Sequence, residues 1–464
     1  MNRQTNPAKQ ASPHAIARAE LEAVLAANPK VQFVDAAIAD ICGALRGKRI
    51  AAADAPKLFE SGMQIPLSLH LMDVRGEMMN PQGRGYSDGD PDGTAWPIPG
   101  TVTEVWGATP PRAQVLMSLR DGAGAALSYD PRAILERVLR RFEELDLSPV
   151  VAHELEFYLI DEKRDERGRP RPPLSPRSGK RENTPSVYGI DDLDRYQGFL
   201  AALSEAAALQ RVPLSAASKE YSPGQFEANL RHQTSALLAS DHAIFLRQIV
   251  KAAALSQHLQ ATFMAKPYLD GLGSGQHVHV SVVDRGGRNV FDDGTPEGSE
   301  MLRFAAGGLA ALMPESMAFF APDLNAYRRF APDMFAPVNR RWGFNNRSVG
   351  LRVPVGPSSA RRIEHRCAGA DANPYLVMAA VLAGIHHGIV NRIDPGPPAA
   401  GNVSREPDSA LPFSLEDALK KLENAGALAA YFGAEAIALY RETKASELAR
   451  FRKRISAEEY EWYL

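Results

Sequence analysis

The period of the apolar positions changes several times along the first third of the chain. Residues 14–28 interleave Ala, Leu and Val with Arg18, Glu20 and Glu22, the spacing of an amphipathic helix. VQFVDAAI, Val31 to Ile38, reads as a strand, and Gly43 to Ile50 carries turn chemistry with basic residues. Gly, Pro and Asp dominate residues 62–110, with YSDGDPDG at 86–93 the most acidic part, before strand-like alternation returns from Pro111 to Leu119. These elements predict a small mixed sheet with long loops, ending near Asp121–Asp130.

A helix signal opens at Asp130. Asp130 is a capping residue, Pro131 suits the first turn, and Ile134, Leu135, Val138, Leu139 and Phe142 form one stripe. Strands and helices then alternate: VVAHELEFYLI, a helix from about Leu193 to Gln210, KEYSPGQFEANL, a helix from about Ala236 to Gln260, and HVHVSVV. The pattern predicts an α+β protein with a first domain over 1–125 and a larger one over 126–464 built on a mainly antiparallel sheet. Asp161 to Asn183 is highly charged and reads as a solvated, mobile loop. Residues 395–411 form a Pro/Gly-rich connector, and the last fifty residues look helical and pack the C-terminus. No internal repeat of 20–50 residues is evident.

Composition narrows the class. A chain of 464 residues accommodates two or three domains, and 45% hydrophobic with 23% charged residues excludes a mainly disordered protein. Lys plus Arg number 53 against 55 Asp plus Glu, so there is no basic excess to suggest a nucleic-acid partner. Two cysteines, Cys42 and Cys367, exclude a disulfide framework and a Cys-rich zinc site. The first 13 residues are polar and show no secretory signal. The most apolar run, Val377 to Val390, contains His386 and His387 and is short for roughly 30 Å of hydrocarbon. The expectation is a cytoplasmic protein with no membrane partner.

The chemistry lies in strands. In HELEFYLI, period-two alternation puts Glu154 and Glu156 on one face. Either both meet water on an edge strand, or a cation lies between them. KEYSPGQFE adds Glu220 and Glu227 around a Pro-Gly turn, GSGQHVHVSV places His277 and His279 on one face, and RRIEHR groups Arg362, Glu364 and Arg366. Together these offer five glutamates and a histidine beside arginines. Oxygen-dominated sets of this kind suit Mg²⁺ or Mn²⁺. Carboxylates next to arginines suggest metal ions holding polyphosphate while arginine neutralises a transferred phosphoryl group. No GxxxxGK[ST] motif occurs, which argues against a P-loop site.

In this order, HELEFYLI, KEYSPGQFE, GSGQHVHVSV, AYRRFAP, NNRSVGLRVP and RRIEHR with ANPYL closely resemble the glutamine synthetase family over nearly the whole chain. The resemblance implies an N-terminal β-grasp domain, a larger catalytic domain, and a homo-oligomer, a dodecamer of two stacked hexameric rings. It implies ATP as co-substrate, two or more Mg²⁺ or Mn²⁺ ions per site, and a γ-glutamyl phosphate intermediate attacked by a nitrogen nucleophile. By position, Glu156, Glu220 and Glu227 match the ligands of one metal, and Glu154, His277 and Glu364 those of the other. Arg347, Arg352 and Arg362 match ATP phosphate-binding arginines, with Arg347 also catalytic. Arg329 and Arg366 match residues holding glutamate, Arg366 acting also on the transferred phosphoryl group. Gly273 matches the glycine whose backbone approaches glutamate, and Ser281 points toward the nucleotide.

The sequence departs from ammonia-using members at two carboxylates. Pro66 stands in place of an aspartate and Phe335 in place of a flap glutamate. Both collect and deprotonate ammonium, so their loss favours an amine with a carbon chain, as in the γ-glutamylamine ligases of the family. Leu272 replaces an asparagine common in ammonia-using members, and no modifiable tyrosine appears near Asn402–Pro412. His70, Glu220 and Asp333 are candidates to take the amine proton. Asp333 alternatively restores the missing charge, and Asp88, Asp90 and Asp92 form either a solvent-exposed turn or a site for a distal ammonium. The favoured reading is ligation of glutamate to putrescine or another polyamine. The alternatives are an ammonia-using glutamine synthetase and a non-catalytic scaffold of the same fold.

Overall fold

The computed structural model describes residues 12–464; the polar stretch at 1–11, where the predicted first domain starts, lies outside them. The first sheet comprises β1 (Phe33–Ala39), β2 (Leu45–Ala51), β3 (Met63–Pro66), β4 (Asp92–Pro97), β5 (Thr103–Glu104) and β6 (Arg112–Arg120). Its order is β2-β1-β6-β4-β3 with β5 on β6, parallel only between β1 and β6, so it is the mixed sheet expected. The predicted N-terminal helix runs from Pro13 to Ala27 and buries Ala17, Leu21 and Val24.

The turn expected at Gly43–Ile50 is instead mostly strand β2. It escapes a periodicity test because it is a polar edge strand, matched by cross-strand charge: Arg49 pairs with Asp35 at 2.6 Å and Arg46 with Asp40 at 2.9 Å. Gly47 lies so close to β1 that a Cβ would stand 1.9 Å from the Ala36 carbonyl oxygen.

The second sheet holds β7 (Leu147–Asp161), β8 (Leu214–Lys219), β9 (Gln225–Leu230), β10 (Leu259–Thr262), β11 (Gln276–Asp284), β12 (Trp342–Phe344), β13 (Leu351–Val353) and β14 (Ile363–His365). Its order is β12-β13-β14-β11-β7-β9-β8 with β10 on β7, antiparallel except between β12 and β13. The helix Pro131–Glu143 begins as predicted, the Asp130 carboxylate accepting from Arg132 N–H at 2.8 Å. The helix from Ala236 stops at Ser256 rather than Gln260, because a turn at Gln257–His258 leads into β10.

The segment 161–183 is largely exposed, as its charge predicts, but it is tied down at its ends. Asp161 pairs with Arg181 at 2.7 Å, and the Glu182 carboxylate accepts from Gly224 N–H at 2.8 Å. Its charges are complementary, which composition alone does not reveal. The helix Pro374–Asn391 is long and apolar enough to cross a membrane, yet it is the buried centre of the larger core. The C-terminal region packs only in part. The helix Ala434–Arg452 is anchored by Tyr440, which donates to the Ala318 carbonyl at 2.8 Å, whereas Ala457–Tyr463 buries no residue.

Candidate active site

Three antiparallel strands build the floor. The register sets Glu154 opposite Asn229, Glu156 opposite Glu227 and Tyr158 opposite Gln225 between β7 and β9, and His277 opposite Glu154 between β11 and β7. Period two therefore gathers each side chain flagged on these strands onto one face. β14 adds Glu364, opposite His279. Glu154, Glu156, Gln225, Glu227, His277, His279 and Glu364 line one cavity of about 500 Å³. Glu220, Gly273, Arg329, Phe335, Arg347, Arg352, Arg362 and Arg366 line it too. Ser281 sits two positions beyond His279 on β11 but outside the cavity lining.

Donor atoms converge in two groups, Glu154–His279–Glu364 and Glu154–Glu227–His277, with all atoms of each within 4.8 Å of one another. Both share Glu154, and His279, not His277, accompanies Glu154 and Glu364 in the first group. His279 Nε2 lies 2.9 Å from Glu154 Oε1, and Nδ1 accepts from Arg362 Nε at 3.2 Å. Its place beside His277 was the available signal.

The electrostatics suit a cation. Burial, then the charges of Glu154, Glu156 and Glu220, raises Glu227 to about 9. Burial and Glu156 raise Glu220 to about 7. Burial would also raise Glu154 and Glu364, but hydrogen bonds from His277 and His279 hold Glu154 well below the carboxylate range, and Arg366 with nearby imidazoles brings Glu364 to about 2. A hard divalent ion relieves the mutual repulsion of such carboxylates, so the residues present fit Mg²⁺ or Mn²⁺.

The arginines are equally constrained. Arg352 donates to Glu364 at 2.7 Å, and Arg366 donates to its other oxygen. Arg329 is buried, with Nη1 donating to the Cys367 carbonyl at 3.0 Å. The Nε groups of Arg329, Arg352 and Arg366 are buried without a hydrogen-bond partner among the described residues, leaving donors for an anion. Gly273 is required by space, since a Cβ would lie 2.6 Å from Arg329 Cγ.

The rim is made differently. Phe335 is 62% exposed and Tyr188 60%, and both have left-handed backbones, with φ of 59° and 56°. Bulky side chains seldom adopt that conformation, which costs roughly 1–2 kcal/mol per residue. Tyr188 and Val187 line the cavity beside Tyr221. They lie in a segment without periodicity or motif and were not singled out from sequence. Tyr188 N–H donates to the Lys219 carbonyl at 3.0 Å, which sets this segment against the Glu220 turn.

Two proton-acceptor candidates stand elsewhere. His70 is buried beneath the first sheet, 3.7 Å from Asp130. Asp333 pairs with Arg405 at 2.7 Å and accepts from Ser404 Oγ at 3.1 Å, outside the lining of the 500 Å³ cavity. Asp88 and Asp90 serve their own loop, accepting from Gly85 N–H at 2.9 Å and Ser68 N–H at 3.3 Å.

Residues 128–463 match the family model described as glutamine synthetase, catalytic domain. The chain is 40% identical over 447 residues to gamma-glutamylputrescine synthetase of Escherichia coli (strain K12), covering 96% of this chain and 94% of that protein. It is 31% identical over 437 residues to glutamate–isopropylamine ligase of Pseudomonas sp, covering 92% and 93%. A solved structure described as a GmaS/ADP complex superposes with a TM-score of 0.81 at 25% identity, over 98% of this chain and 99% of that one.

Proposed function

The chain belongs to the glutamine synthetase family, and from that premise we propose that it is an ATP-dependent ligase joining the γ-carboxyl of L-glutamate to an amine, putrescine or another polyamine being favoured. The observation that carries the reading is one cavity with a carboxylate–imidazole floor, buried arginines and an apolar rim at Phe335. Two relatives named above make amine linkages to glutamate.

Arg329 and the backbone at Gly273 hold glutamate, with its γ-carboxylate directed toward the phosphates of ATP. Arg347, Arg352 and Arg362 bind those phosphates. Glu154, Glu156, Glu220, Glu227, His277 and Glu364 would hold Mg²⁺ or Mn²⁺, which would supply neutralisation of phosphate charge, and His279 is a further candidate ligand. Arg366 stabilises charge on the phosphoryl group as it passes to the γ-carboxylate. The amine attacks the γ-glutamyl phosphate and displaces phosphate. Glu220, which lines the cavity, is the candidate to take the amine proton.

Phe335 offers methylenes a surface and ammonium none. Each buried CH₂ contributes about 0.8 kcal/mol, so the four of putrescine gain up to about 3 kcal/mol, roughly a hundredfold in affinity. We further propose a homo-oligomer, a dodecamer of two hexameric rings, in a cytoplasmic setting. The exposed Tyr460, Trp462 and Tyr463 of the C-terminal helix offer a subunit contact in support.

Phosphate release is the test, with glutamate, ATP and Mg²⁺, and with NH₄⁺ or a panel of diamines, polyamines and short monoamines. The reading expects glutamate-dependent release stimulated most by an alkyl amine. Preference for NH₄⁺ over every amine would mean that the enzyme makes glutamine.

A further inference from the structure

Gln225 is 1% exposed, stands opposite Tyr158 in the β7–β9 ladder on the face of Glu227, and lies at the edge of the floor. Its side-chain Oε1 accepts from Ser222 N–H at 3.2 Å, and its Nε2 donates to the Gly273 carbonyl at 3.0 Å. One partner only donates and the other only accepts, so the amide has a single orientation. Nε2 also lies 3.4 Å from Glu156 Oε2, which takes a second hydrogen bond from Gly275 N–H at 2.8 Å. One oxygen of Glu156 is thus anchored, leaving Oε1 to face the cavity.

The adjoining loop is fixed from the same side. The Tyr158 hydroxyl donates to the Leu272 carbonyl at 2.6 Å, and Leu272 N–H donates to Ser222 Oγ at 2.8 Å. Two consecutive carbonyls, Leu272 and Gly273, are therefore held by two side chains that do not touch the reacting atoms. An apolar Leu272 side chain adds no hydrogen bond of its own, so this backbone depends on its neighbours.

We propose that Gln225 is a positioning residue that couples the metal floor to the glutamate loop, aiming Glu156 at the cation and Gly273 at glutamate, with the Tyr158 hydroxyl, 3.3 Å from Gln225 Oε1, holding the loop at the Leu272 carbonyl. Partners that orient metal ligands typically govern affinity or activity by 10–100-fold. The glutamate half rests on the ligase reading, whereas the metal half needs no turnover.

The test measures Mn²⁺ binding to the substrate-free full-length enzyme by electron paramagnetic resonance, then KM for glutamate and ATP. Gln225→Met should weaken Mn²⁺ at least tenfold and raise the glutamate KM by a similar factor, with the ATP KM within twofold. Tyr158→Phe should raise the glutamate KM about threefold or more and leave Mn²⁺ affinity unchanged. Mn²⁺ affinity within twofold of wild type in Gln225→Met would overturn the proposal. So would a loss shared equally by all three ligands in both variants, which is general loosening. If Gln225→Met does not fold, Gln225→Asn decides: Mn²⁺ affinity and glutamate KM both within twofold of wild type sink the coupling. Absence of turnover with any amine, alongside the predicted Mn²⁺ loss, would reject the ligase reading and keep the metal half.

Discussion

The floor and the rim of this cavity obey different rules. On the floor, Glu154, Glu156, Glu227, His277 and Glu364 lie on paired strands, mostly buried and cross-linked to imidazole, amide or guanidinium groups. At the rim, Phe335 and Tyr188 are exposed and sit on loops with left-handed backbones. Strand register over-determines the first set, and loop conformation alone places the second. On the proposed reading, the floor fixes the reaction class, phosphoryl transfer to a carboxylate, and the rim selects the nitrogen nucleophile.

Removing a floor ligand should be the most damaging change. Glu156→Ala is expected to abolish turnover with amines and NH₄⁺ alike, with the size-exclusion profile unchanged from wild type. Selective loss of one nucleophile would break the division of labour. Arg366→Ala should lower kcat about 10²–10³-fold for every nucleophile, because it removes a charge aimed at a transition state. An unchanged kcat with only a raised ATP KM would assign it to ground-state binding.

Phe335→Glu acts on the other side of the comparison. The kcat/KM ratio of the best amine over NH₄⁺ should fall about tenfold, since an anion replaces the apolar surface. Formation of ADP and γ-glutamyl phosphate in the first step should change little. A fall in both nucleophiles by the same factor would show that Phe335 supports the floor.

Legibility followed the same line. Glu154 and Glu156 could be assigned to one face because β-strand period is two whatever the fold, and the Pro-Gly turn in KEYSPGQFE pointed to paired strands. His279 was visible but unused, since alternation alone does not say which of two histidines meets a carboxylate. Tyr188 was invisible, for it follows a charged segment whose order depends on distant partners such as Asp161 and Gly224. Strand β2 was missed because an edge strand paired by charge has no apolar period. His70 entered as a candidate on its residue type, but proximity to Asp130 in the interior is decided by packing.

The smallest expected effect lies away from both regions. Burial lowers His386, whose Nδ1 lies 2.8 Å from the Tyr431 hydroxyl. The folded state keeps this imidazole neutral below the unfolded value near 6.5, so its contribution is present above about pH 6.5 and lost as pH falls below it. Thermal melts should show Tm falling from pH 7 to pH 5, and His386→Gln should flatten that slope slightly. The amine-to-ammonium preference should not differ between His386→Gln and wild type, and a difference would extend the rim's influence into the core.

Competition between nucleophiles reads the central claim directly. Wild-type enzyme is given glutamate, ATP and Mg²⁺ with equal concentrations of putrescine and NH₄⁺, and the two products are counted by mass spectrometry at early times. Their ratio is the ratio of kcat/KM values. The account predicts γ-glutamylputrescine at least tenfold above glutamine, and glutamine as the main product would contradict it.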